Sequence, residues 1–161
     1  HFPTTMVNAV KNCRDTNIHG NCTWIMAYPG ETLEDLKTSV AFITWQQDFW
    51  TNGCTPGTPA YETMRNGVNR KMFTATAYPG TEMWNVVKPQ LQEHFDISFN
   101  AFGQPECDEN FHHYVLELDD ATKILDDKNG NPVNFGELPL DTFLQAREHI
   151  DNDEIEKILD I

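Results

Sequence analysis

The sequence has no CxxC or CxxxCxxC spacing, no apolar run long enough to cross a bilayer, and fewer than half as many basic as acidic residues. Each absence excludes something. The longest apolar stretches, Trp24 to Tyr28 and Val40 to Ile43, fall far short of the roughly 20 residues of a spanning helix. No membrane span is expected, and no secretory signal pattern opens the chain. With 25 acidic against 11 basic residues the formal net charge is −14. Such a surface repels phosphate backbones, so nucleic acid is not an expected partner. The four cysteines, Cys13, Cys22, Cys54 and Cys107, stand too far apart for a structural zinc site, and no metal site is expected in this chain. An even cysteine count also suits disulfides, and Asn21-Cys22-Thr23 has the form of a glycosylation sequon. Cys22, however, lies in an apolar run, where a small buried thiol is the ordinary role. The reading is a reducing, cytoplasmic protein. His1 is not an initiator methionine, and the chain reads as part of a longer one that extends further in the N-terminal direction.

What is present suffices for a core: 39% of the 161 residues are hydrophobic and 11% aromatic. Met6, Val10 and Cys13 recur at spacings of four and three, which predicts a helix over 5–14. Cys22 to Tyr28 is almost continuously apolar and bounded by Gly20 and Pro29, as suits a strand covered on both faces of a parallel sheet. Pro29-Gly30-Glu31-Thr32 follows, with Thr32 a candidate N-cap and Asp35 its box-like partner. Leu33, Leu36, Val40 and Ile43 then form the buried stripe of a helix ending near Gln47. The segment 49–69 holds Gly53, Pro56, Gly57, Pro59 and Gly67 and is expected to be a long loop or insertion. Lys71 to Tyr78 is β-friendly and runs into Pro79-Gly80, with Thr81 as a second N-cap and Pro89 set to kink or restart the next helix. Beyond His94 a short strand is expected over 114–118, a hairpin around Asn129-Gly130, and two acidic helices over 139–150 and 152–159.

One tetrapeptide occurs twice: Ala27-Tyr28-Pro29-Gly30 and Ala77-Tyr78-Pro79-Gly80. Each closes an expected strand and precedes a capped helix. Two parallel strands joined by a right-handed crossover put both Pro-Gly turns at one edge of the sheet. In barrels and open α/β sheets that edge is where ligands bind. Proline fixes its φ and lacks a donor, while glycine lets the backbone reverse and approach a ligand closely. Pattern alone leaves open a pair of ordinary βα turns in any α/β protein.

The strings themselves carry more. Ile25 to Asp35 (IMAYPGETLED) resembles the fifth-strand segment of radical S-adenosylmethionine enzymes, an apolar strand running into G-x-PGET-x-ED. Phe73 to Thr81 (FTATAYPGT) resembles the sixth-strand segment of the cobalamin-associated branch, an apolar strand into PxPGT. The match covers Met6 to about Gln92. It implies an α/β fold: residues 1–95 would be the last βα units of a partial (β/α)6 TIM-like barrel, and 96–161 a small α+β C-terminal appendage. It also implies a [4Fe-4S] cluster that binds S-adenosylmethionine and reductively cleaves it to a 5′-deoxyadenosyl radical, with cobalamin a further cofactor of that branch. Ile25, Met26 and Ala27 would line the adenine from one strand, and Ala77, Tyr78 and Pro79 from the next. The partners so implied are the N-terminal remainder of the same protein, a reductant, and a small-molecule or peptide substrate. The cluster's cysteine trio is not in this sequence, and the family's glycine before PGET is Ala27 here.

Glu31 and Glu82 both stand just past the strand ends, and Glu31 is a candidate substrate contact. A carboxylate in a first helical turn is equally favoured by the helix dipole. His112-His113 with Glu117 and Cys107 lack zinc-like spacing and read as solvated residues. Asp119-Asp120 and Asp126-Asp127 lack the EF-hand pattern. Trp24, Trp45, Trp50 and Trp84 read as core or interface aromatics. The alternative from another class is an acidic, non-catalytic α/β interaction domain whose Pro-Gly turns are only structural.

Overall fold

The computed structural model describes residues 2–20, 22–119 and 123–161. Asn21 of the sequon and Asp120 of the acidic run lie outside the described residues. The elements in chain order are α1 (Thr4–Asp15), β1 (Trp24–Met26), α2 (Leu33–Thr51), α3 (Pro59–Asn66), β2 (Met72–Thr74), α4 (Glu82–Val86), α5 (Lys88–Phe95), α6 (Glu109–Glu117), α7 (Leu140–Asp151) and a 3-10 segment (Ile155–Asp160). The class is α/β, with a two-stranded parallel sheet. Among the described residues no helix is long and apolar enough to cross a membrane. The four cysteines are free thiols.

The chain forms two compact units that interleave in sequence: residues 1–24, 33–71 and 145–161, and residues 25–32 and 72–144. Each draws on both sides of residue 95, where the sequence suggests a division in chain order.

In the first unit, α2 buries Leu36, Val40 and Ile43, the stripe expected from their spacing, and runs one turn beyond Gln47 to bury Trp50 as well. It packs against α3 and against the 3-10 segment, whose Ile155 and Ile158 are buried. Phe2, Phe42, Trp45 and Phe49 form a row of ring contacts with centroids 4.9 to 5.6 Å apart. Arg70 ties the unit's ends together, its Nε donating to Asp153 at 2.9 Å and its Nη1 pairing with Glu156 at 2.7 Å, with Gln47 a further acceptor.

The segment 49–69 is not the expected loop. Phe49 to Thr51 complete α2, and Pro59–Asn66 is helical, with the Thr58 side chain accepting from Tyr61 N and proline in the first turn. The stretch between these helices and the residues after Asn66 are the turn regions of this segment. The glycine and proline content masks a start signal that is itself built from Thr58-Pro59.

In the second unit, β1 and β2 lie side by side in parallel, and the pairing continues past β2 as Ala75 N donates to Met26 O at 2.8 Å. Its core gathers around Trp84, with Met83, Val87, Leu91, Ile97, Tyr114 and Phe135 buried in one cluster. Pro89 sits in the first turn of α5, just after α4 ends, so the helix restarts there as its fixed φ allows. The expected strand at 114–118 is instead the second half of α6, capped by Asp108, which accepts from Phe111 N at 2.9 Å. Phe111, Tyr114 and Leu118 fall at helical spacing, and that period decides the matter. The hairpin around Asn129-Gly130 is present as an antiparallel bridge, Asp126 to Pro132, with Asp127 accepting from the turn's N–H groups.

Candidate strand-end site

The two Ala-Tyr-Pro-Gly segments leave the C-terminal ends of the paired strands and adopt the same turn. Glu31 N donates to Tyr28 O at 2.9 Å and Thr81 N to Tyr78 O at 3.2 Å, and the central glycines hold φ of 86° and 87°. Proline followed by a glycine at positive φ is the requirement of a type II turn, which is why this dipeptide serves at both places. The Thr81 hydroxyl then donates to Tyr78 O at 2.8 Å and accepts from Trp84 N at 3.1 Å, so one side chain closes the turn and caps α4.

The first turn differs in one residue. Ala27 holds φ of 61°, in the left-handed region that glycine occupies without steric penalty. The Glu31 carboxylate accepts from Ala27 N at 2.5 Å and fixes that conformation. Glu31 is thus engaged with its own turn, while Glu82 is exposed at the start of α4.

The six residues expected to line the adenine divide into two groups. Met26, Ala27 and Ala77 have no exposed surface. Ile25 is 52% exposed, Tyr78 is 43% exposed, and Pro79 is exposed. Alternation along the strand explains the split on β1, since Trp24 and Met26 face inward and Ile25 outward. On β2 the half-buried Phe73 lies between buried Met72 and Thr74.

Two residues that the sequence reading missed complete the site. The buried Tyr114 hydroxyl donates to Ala77 O at 2.8 Å, and burial pushes its phenol well above the usual tyrosine range. Gly136 lies against the first strand end: a Cβ there would stand 3.0 Å from Ala27 Cα, 3.1 Å from its carbonyl carbon and 3.2 Å from Tyr28 O. Asn134 shapes that approach, accepting from Gly136 N at 2.8 Å and donating to Leu138 O at 2.7 Å. Asn134-Phe135-Gly136 is a legible turn signal, but its partner across the chain is not.

The Ala27 N–H and the Ala77 carbonyl are therefore already bonded, the first to a carboxylate and the second to a phenol. What the arrangement leaves exposed is the Ile25 side chain and the rings of Tyr28 and Tyr78. No group of three or more histidine, cysteine or carboxylate side chains suited to a metal occurs among the described residues. His112 and His113 are exposed on α6 and not on a strand. No family model matches the chain, and no curated protein or solved structure matches it either.

Proposed function

We propose that this chain is the C-terminal part of a radical S-adenosylmethionine enzyme, contributing the last two strands of a partial (β/α)6 barrel and its adenine-side wall. The observation that carries the reading is the sheet itself: two hydrogen-bonded parallel strands ending in the same Ala-Tyr-Pro-Gly turn, with Ile25 half exposed. Parallel strands are stable almost only with both faces covered and with further strands beside them. An isolated two-stranded parallel pair fits a piece of a larger barrel whose further strands would stand beside it.

The chain's residues fit an adenine in part. Ile25 offers an apolar surface, and Tyr78 and Pro79 stand at the mouth of the second turn, where an aromatic ring can stack on a heterocycle. The Ala27 N–H and Ala77 carbonyl do not fit, because Glu31 and Tyr114 hold them. Their part is structural: Glu31 keeps the first turn in its left-handed bend, and Tyr114 locks the second strand end. When bound, the cluster and S-adenosylmethionine supply the radical chemistry, and the cluster's cysteines belong to the N-terminal remainder. That setting is reducing and cytoplasmic, in keeping with four free thiols.

Photolabelling of the protein encoded by the whole reading frame with an 8-azidoadenine analogue of S-adenosylmethionine tests the assignment. Labelled peptides containing Ile25 or Tyr78 are expected. Saturable labelling confined to peptides outside this chain would sink it.

A further inference from the structure

We infer that the first unit holds a binding site for a small phosphate monoester. Three separated stretches of the chain, His19 with Gly20, residues 65–71 and Asp153, enclose a hollow of about 530 Å³ within that unit. Hollows of roughly 300–1,000 Å³ are the size that takes a small molecule. Three of the chain's 11 cations, Arg65, Arg70 and Lys71, line it against one carboxylate, Asp153. That local sign is the reverse of the net charge of −14.

The three cations differ in what they have left to offer. Arg70 is 9% exposed and held by Asp153 at 2.9 Å and by Glu156 at 2.7 Å, so it braces the wall. Arg65 is 34% exposed, and its one ion pair among the described residues is Asp153 at 3.4 Å. A contact that long between partly exposed groups is weak. Lys71 is exposed, and its ammonium has no ion pair among the described residues. Its backbone N–H donates to Asn69 Oδ1 at 3.0 Å, which fixes the turn that carries it. Two accessible cations therefore face the hollow, and a phosphate monoester brings close to two negative charges near neutral pH. A guanidinium fork matches phosphate oxygens, and an ammonium serves phosphate as a point charge. A carboxylate ligand would bring one charge only, and Asp153 already supplies that. Gly67 shapes the wall, since a Cβ there would stand 2.7 Å from His19 Cε1. The His19 ring is backed by Trp50 at 5.2 Å, which limits its room to yield.

The acidity of the chain does not forbid such a ligand. Charges beyond a Debye length of about 8 Å are largely screened at physiological ionic strength, so a single monoester responds chiefly to the hollow. A nucleic-acid backbone would lay a run of phosphates across the acidic surface as well. The site is also independent of the adenine-side reading, because none of the six strand-end residues lines it.

Calorimetric titration of the chain with glycerol 3-phosphate, glycerol and inorganic phosphate tests this. Glycerol 3-phosphate is expected to bind saturably, inorganic phosphate more weakly because the hollow has room beyond one phosphate group, and glycerol not at all. Lys71→Ala and Arg65→Ala should each weaken the ester about tenfold, the effect of losing one charged hydrogen bond. Lys11→Ala makes the same change in net charge at an exposed position on α1 outside the hollow, and should shift affinity by less than about twofold. Asp153→Asn should tighten binding, because it removes the carboxylate that competes for Arg65 while asparagine tolerates the φ of 56° held there. A merely structural cluster would give no such gain. Circular dichroism confirms that the variants fold. No saturable binding of glycerol 3-phosphate, inorganic phosphate bound as tightly as the ester, equal losses in Lys71→Ala and Lys11→Ala, or weaker binding in Asp153→Asn would each overturn the inference.

Discussion

Ala27 is held at φ of 61°, where its Cβ crowds the following carbonyl oxygen. For an L-residue that conformation costs about 1–2 kcal/mol. Glycine is free of the penalty but loses about 0.5–1 kcal/mol more conformational entropy on folding. Ala27→Gly should therefore stabilise the chain by roughly 0.5–1 kcal/mol, read from the urea midpoint. Ala27→Val should do the opposite, because a β-branched residue tolerates positive φ least. If both variants unfold at the wild-type midpoint, the left-handed bend is not present. Tyr114 makes the complementary case. Its hydroxyl is buried against the Ala77 carbonyl, and Tyr114→Phe strands that carbonyl at a cost of about 1–3 kcal/mol. In a spectrophotometric alkaline titration, one of the four tyrosines should stay protonated until the chain unfolds. The same titration of Tyr114→Phe should show no such residue. Neither relationship is legible in the sequence. Alanine before a Pro-Gly turn does not announce a positive φ, and nothing in Phe111 to Leu118 points to a residue 37 positions away.

At the scale of elements, legibility follows how local the deciding signal is. Leu36, Val40 and Ile43 give α2 from spacing alone, and Thr81 is readable as a cap because it follows a Pro-Gly turn and precedes an apolar face. The strands are shorter than their apolar runs suggest, Trp24–Met26 and Met72–Thr74, because pairing depends on the neighbour as well as on composition. Helix α3 is the instructive miss. Thr58, Pro59 and Glu62 spell a helix start, but the surrounding glycines and prolines dominate the reading of 49–69. The Thr58 side chain accepts from Tyr61 N at 3.3 Å. Thr58→Ala should destabilise the chain by about 1 kcal/mol and raise amide exchange within Pro59–Asn66. Unaltered exchange there would mean that proline alone starts the helix.

For the molecule as a whole, with 25 carboxylates against 11 cations, the Arg70 cluster is one ion-paired anchor whose pH dependence can be read. The Arg70 side chain is 9% exposed. Burial works against the Arg70 charge, but the hydrogen bond to Glu156 and the charges of Glu156 and Asp153 outweigh it, so the guanidinium stays charged. The Arg70 hydrogen bond in turn holds Glu156 below its ordinary value of 4.5, outweighing the effect of burial. A carboxylate with a lowered folded-state pKa contributes stability that is present above its unfolded value and is lost as pH falls through the folded one. Arg70→Met should cost about 1–2 kcal/mol near neutral pH, at the modest end because both carboxylates are about half exposed. The difference from wild type should shrink below about pH 5. Thermal melts from pH 7 to pH 3 check this, and a constant difference across that range would show that Arg70 acts through packing alone.

The central claim is the proposed one, that the two parallel strands and their Pro-Gly turns belong to the S-adenosylmethionine pocket of a larger enzyme. Anaerobic reconstitution of the protein encoded by the whole reading frame, followed by quantitation of 5′-deoxyadenosine released from S-adenosylmethionine under reductant, tests it most directly. A CxxxCxxC upstream of His1 and reductant-dependent 5′-deoxyadenosine are the results predicted. A reading frame without that trio, or a cluster-loaded protein that leaves S-adenosylmethionine intact, would contradict the account.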